Sequence, residues 1–221
     1  MSNIHAEVIF AMGVSVHYWA VPSSSTLFRR LQREKAFATL MGTLFRYGCG
    51  IFYFFDEIDA EEREEILEDA IESRRDTLGS EAEAKRWINE FRLELEHTRS
   101  AYPGVERRTA SLEKTSQLIE ERLLPEFNRL RNGDAVEFLR ALMFGDRELG
   151  RDLGLSDGDI LGLISPRLVR EGAELLNGLD AEALFAKDGV REEYYLEDFL
   201  HWRQLFREAA EQGELLLVGV C

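Results

Sequence analysis

The sequence predicts an α+β fold, predominantly helical, in which a small sheet containing the N-terminal and C-terminal strands is covered by about eight helices, with an acidic helical hairpin. Three observations lead there. β-Branched and aromatic residues run through Val14–Val21, an apolar run spans Leu215–Val218, and the segments between repeat their apolar residues every three or four positions. A run like Leu215–Val218 is buried on both faces, which fits a strand paired with Val14–Val21 and covered by helices.

Each element has a local reason. In the first strand, alternation places Val14, Val16, Tyr18 and Ala20 on one face and Ser15, His17, Trp19 and Val21 on the other, and Pro22 ends it. Ser24 or Ser25 caps a short helix carrying Leu27, Phe28 and Leu31. A second helix from Glu34 bears the stripe Phe37, Leu40, Met41, Leu44 and Phe45. Gly48-Cys49-Gly50 interrupts it, and periodicity does not separate strand from helix over Ile51–Phe55, which is read as helix. Asp59, three residues before Glu62, opens an acidic helix through Ile66, Leu67, Ala70 and Ile71.

Ser80 and Glu83 form a capping box for a helix through Trp87, Ile88, Phe91 and Leu95, which stops at Tyr102-Pro103-Gly104. A long helix over Glu106–Arg131, with Leu112, Leu118, Ile119, Leu123, Phe127 and Leu130 inward and a kink at Pro125, completes a helical hairpin over residues 80–131. Asp134 caps a buried helix with Val136, Phe138, Leu139, Leu142, Met143 and Phe144. Gly145–Gly162 reads as a long irregular loop, the place where function is commonly carried. Ser165-Pro166 then starts a helix ending at Asn177-Gly178, and Asp180 opens one more turn. Tyr194–Gln212 is a helix with Tyr195, Phe199, Trp202, Phe206 and Ala209 on one side, and Glu214–Cys221 is a strand.

The chain of 221 residues is read as a single domain, with residues 1–11 as an N-terminal extension ahead of a regular pattern that begins at Met12-Gly13. Its 42 acidic against 27 basic residues give a formal charge of −15, which disfavours nucleic acid and anionic membrane surfaces, because phosphate affinity rests on Lys and Arg. Two cysteines are too few for a disulfide framework and fit a reducing cytoplasm. The membrane candidate Ala36–Phe55 carries Arg46 at its midpoint and is read as core instead.

No motif calls for a cofactor. Gly48-Cys49-Gly50 lacks the Lys-Ser or Lys-Thr ending of a phosphate loop. A zinc site would have to gather His17, His97 and His201 from distant segments, and Asp152, Asp157 and Asp159 lack the spacing of a calcium loop. No catalytic residue is assigned. A ligand pocket, if the chain has one, is expected around His17 and Trp19, where an imidazole and an indole share a strand face, together with Cys49, Asp56 and Glu57.

Met12-Gly13 running into a strand, and Phe199-Leu200, Leu205-Phe206 and Ala209-Ala210 leading through Gly213 to the apolar Leu215–Val218, resemble the YfbM-like bacterial proteins of unknown function. The resemblance implies a bacterial cytoplasmic α+β protein and brings no catalytic residues. The leading expectation is a non-enzymatic interaction or immunity-type protein that meets a basic protein partner through an acidic helical surface. The alternative is a small-molecule-binding protein or enzyme using the His17 and Trp19 pocket.

Overall fold

Alternation of rings and small apolar residues makes Val16–Val21 (β1) a strand with two buried faces in the computed structural model, which describes residues 15–46, 58–112, 116–131, 133–149, 160–187, 190–191 and 193–220. The expectations for residues 1–14, Cys49, Ile51–Phe55, Asp56, Glu57, the acidic loop 152–159 and Cys221 lie outside the described residues.

Five strands form one antiparallel sheet in the order β2-β1-β7-β4-β3, where β2 is Thr109–Leu112, β3 Arg147–Glu148, β4 Ile160–Ile164 and β7 Leu215–Val220. The two terminal strands pair as expected, with Val16 opposite Val220 and Val21 opposite Leu215. β7 is the central strand and is buried along its whole length, which is why it needs no polar alternation. A two-stranded ribbon, β5 (Ala186–Lys187) with β6 (Val190–Arg191), stands apart from this sheet.

Side chains on one face of the sheet belong to one core and those on the other face to a second. Tyr18, Ala20, Ala110, Leu112, Leu216 and Val218 pack into a rear core with α6 (Ser116–Leu130), α7 (Ala135–Phe144), α8 (Pro166–Asn177), α9 (Ala181–Leu184) and α10 (Glu193–Gln212). Trp19, Val21, Leu161, Leu163, Leu215 and Leu217 face a front core made by α1 (Thr26–Arg33), α2 (Lys35–Arg46), α3 (Ala60–Ser73), α4 (Arg75–Leu78) and α5 (Glu81–Ala101). The architecture is therefore α+β and mainly helical, with the sheet between two helical layers.

Caps fall where the sequence places them. Ser25 accepts from the Phe28 N–H at 3.1 Å, Asp59 from Glu61 and Glu62 at 2.9 and 3.0 Å, and Ser165 from Leu168. Ser80 and Glu83 form the reciprocal box. Asp134 precedes its helix without capping it, because its carboxylate is held by Arg131 at 2.7 and 2.9 Å.

Three more expectations are corrected. Residues 80–131 are not one helical hairpin: Thr109–Leu112 is strand β2, so α5 lies on the front of the sheet and α6 on the rear. β2 satisfies the outer edge of β1, a long-range gain that outweighs its weak local strand preference. Gly145–Gly162 is not wholly irregular, since β3 and β4 flank its undescribed centre. Leu130 and Val136, read as inward, are 45% and 37% exposed beside the break between α6 and α7.

Candidate functional site

His17 and Trp19 point to the same side of β1, as alternation requires, and both are held by protein groups. His17 is buried at 7% exposure, and its Nδ1 is 3.0 Å from Ser111 Oγ on the paired strand, directly across the register. Trp19 is 2% exposed and donates its indole N–H to the Val105 carbonyl at 2.8 Å. That bond ties β1 to the turn Val105–Arg107 and gives the indole a packing role in the front core. Cys49, Asp56 and Glu57 lie outside the described residues, so the described part of the expected pocket consists of these two anchored side chains. Among the described residues, no group of three or more His, Cys, Asp or Glu side chains is placed to hold a metal. Nor is any described helix long and apolar enough to cross a membrane.

Charge is distributed by element. The α3 helix exposes Glu61, Glu62, Glu64, Glu65, Glu68, Asp69 and Glu72, a carboxylate-rich outer surface over a narrow apolar side of Ile66, Ala70 and Ile71. Asp59 and the first-turn glutamates suit the positive end of that helix, whereas the later carboxylates have no such local reason. The α5 helix is different: Glu81 pairs with Lys85 at 2.8 Å and Glu96 with Arg92 at 3.5 Å, four residues apart in each case. Between the two helices lies a cleft of about 630 Å³, with Leu67, Ile71, Ile88 and Leu95 as apolar wall and Arg63, Lys85, Arg92 and Arg99 among its polar residues.

Two ion clusters fasten the elements around these surfaces. Arg30 of α1 reaches Glu34 at 2.6 Å and Glu90 of α5 at 2.8 Å, while its guanidinium lies 3.6 Å from the centre of the Phe37 ring. The hydrogen bonds that Arg30 donates to Glu34 are the largest influence pushing its pKa upward, against the opposing effect of burial. On the rear face, Arg108 pairs with Glu214 and also donates to Gln212 at 3.0 Å. The Arg108 carbonyl also accepts from the Ala20 N–H of β1 at 2.9 Å, and Glu214 immediately precedes β7 on the other side of β1, so the pair bridges across that strand. Burial raises the Glu214 carboxyl above its ordinary pKa, and the Arg108 hydrogen bond and charge pull it part of the way back.

A second, smaller cleft of about 390 Å³ opens on the flank of α10 where α8 ends, lined by Asn177, Leu200, His201, Arg203, Gln204 and Arg207. The sequence singles out His201 only as one of three distant histidines and does not single out Arg203 or Arg207. The available signal was the pair of arginines four residues apart beside the aromatic stripe of the same helix. No protein-family model, curated protein or solved structure matches this chain.

Proposed function

We propose that this is a non-enzymatic interaction protein of the bacterial cytoplasm, immunity-type in its chemistry, which meets a basic protein partner through the outer face of α3. The observation that carries the reading is the concentration of seven exposed carboxylates on one helix of fourteen residues, against a neighbour, α5, whose exposed Glu81 and Glu96 pair with its own bases and whose Glu83 closes the capping box. A surface of that kind steers a cationic protein during encounter, speeds association and makes it sensitive to salt. Nucleic acid is a poor partner for it on the same grounds. The likeness of the chain's two ends to YfbM-like proteins supports the bacterial and cytoplasmic part of the proposal, and the anchoring of His17 and Trp19 by protein groups favours this reading over a pocket at those residues.

The test is affinity capture by the full chain and by a variant with Glu64, Glu65, Glu68, Asp69 and Glu72 changed to their amides, each at low and at moderate salt. A basic protein identified with the natural chain, at least tenfold depleted with the amide variant and lost as salt rises, is the expected result. Capture that is equal for both chains, or a strongest partner that is acidic, overturns it. Circular dichroism of the variant establishes that α3 is still folded, since every replaced residue is exposed.

A further inference from the structure

The cleft on the flank of α10 departs from the charge of the chain around it. About one residue in five of this sequence is acidic, 42 of 221, yet none of the six residues lining the cleft carries a carboxylate, and three carry guanidinium or imidazole groups. We propose that this cleft is an oxyanion site that takes a phosphate group, either free or as a small phosphate ester.

The helix supplies the spacing. Arg203 and Arg207 are four residues apart and therefore neighbours on one flank of α10, about 5–6 Å between their Cβ atoms, and His201 and Gln204 form a second pair three apart beside them. Phe199, Trp202, Phe206 and Ala209 occupy the opposite side and fix the rotation of the helix by packing into the rear core. The polar flank is thus presented outward by residues whose burial has nothing to do with a ligand.

Arg203 is partly preset. Its Nη1 donates to the Leu179 carbonyl at 3.2 Å, and its guanidinium carbon stands 5.5 Å from the centre of the Phe199 ring. Five N–H donors on a planar fork leave several for a ligand, and a guanidinium already held costs less entropy to engage than a free one. Arg207 and His201 have no ion pair or hydrogen bond to any described residue, and Arg203 has no carboxylate partner among them. Glu208, the residue after Arg207, accepts from the amide of Gln204 in the cleft lining.

The end of α8 is also compatible with an anion. A helix C-terminus ordinarily presents free carbonyls, which repel negative charge. Here the Leu175 and Leu176 carbonyls accept from the Gly178 and Leu179 N–H groups, and the Leu179 carbonyl accepts from Arg203. Asn177 adds a side-chain amide, and Leu200 one apolar surface against which the organic part of an ester would rest. Two guanidiniums match the paired oxygens of phosphate better than the single charge of a small carboxylate.

The site lies in the rear layer, whereas α3 belongs to the front, so it is independent of the protein-binding proposal. It is tested by titrating the isotope-labelled full chain with inorganic phosphate and with pyrophosphate at constant ionic strength, with acetate and chloride as controls. The expected result is saturating amide shifts confined to Asn177 and residues 200–207, tighter for pyrophosphate. The exposed-site variant Arg207→Gln should weaken binding at least tenfold, and Arg203→Lys, which keeps the charge and loses the fork, should fall between. Equal shifts with acetate, shifts scattered over the surface, or unchanged affinity in Arg207→Gln would overturn the proposal. A phosphorylated serine amide added as a third ligand separates the two sources: binding tighter than that of free phosphate assigns an ester, and weaker binding assigns the free ion.

Discussion

The two helical layers solve the same problem, covering one face of a five-stranded sheet, with different materials. The rear layer covers it with rings: Trp202 packs against Tyr18, Phe199 and Phe206 at centroid distances of 5.9, 6.3 and 5.1 Å, and all four are buried. The front layer has its own aromatic group, Phe37 with Trp87 and Phe91, but its helix α3 carries a short apolar side and leaves a cleft where it meets α5. Dense apolar patterning produced a layer sealed against the sheet, its cleft confined to the outer flank of α10, and a helix with half its residues acidic produced an open one. The function proposed for the α3 face is therefore separable from stability in a way that function within the rear core would not be.

The strongest way to break that comparison is to remove the centre of the rear core. Trp202→Ala deletes a fully buried ring and leaves a cavity that its aromatic neighbours only partly fill, a loss of about 3–5 kcal/mol. Urea unfolding should show it as a lower midpoint for the whole chain, with far-UV and fluorescence transitions still coincident. A loss below about 1 kcal/mol would mean that the rear layer does not dominate.

A smaller effect is expected at the Arg108 and Glu214 pair, with side chains 15% and 6% exposed. Arg108→Ala strands a carboxylate beside the sheet and should cost about 2–3 kcal/mol, less than for a fully buried pair because Arg108 keeps some contact with water. Glu214→Gln should cost much less, since the amide oxygen still accepts from Arg108. The two also differ in pH dependence. Burial holds the Glu214 pKa above 4.5, so the unfolded chain releases its proton first. Stability from this group is full below pH 4.5 and declines as pH rises through the folded value. Relative to Glu214→Gln, the natural chain should lose stability between pH 4.5 and neutrality, measured by urea midpoints at both ends. A gain over that interval would show that the ion pair outweighs burial.

What the sequence revealed of this division follows from how local each signal was. Helix caps at Ser25, Asp59, Ser80 and Ser165 were legible because a cap is decided within four residues. The two-faced strands β1 and β7 were legible because burial on both sides leaves a continuous apolar run. Thr109–Leu112 was not, because Thr-Ala-Ser-Leu is a strand only while β1 offers an unpaired edge. Ile160–Ile164 was obscured by Gly162, which reads as a loop residue. There a methyl group would fall 2.0 Å from the Phe144 carbonyl oxygen, so glycine marks a close backbone approach. Of the expected pocket, alternation correctly put His17 and Trp19 on one face, but their partners come from a segment read as helix, Ser111, and from the turn just before it, Val105. The rear cleft joins Asn177 to α10 across a tertiary contact, which periodicity does not encode.

The smallest expected effect makes the sharpest distinction between the layers. Ser80→Ala breaks the capping box at the start of α5 and should cost about 1 kcal/mol, roughly a factor of five in the opening equilibrium of that helix. If α5 opens as a unit of its own, amide exchange along residues 84–95 accelerates by that factor, while amides of β7, paired on both edges at the centre of the sheet, keep their protection. If instead the slowest amides of β7 accelerate equally, the front and rear layers unfold together, and the separation of a sealed layer from an open one is a matter of surface alone. The measurement needs only native-state exchange on two chains, and the cap is exposed, so the variant changes no core contact that would confuse the two outcomes.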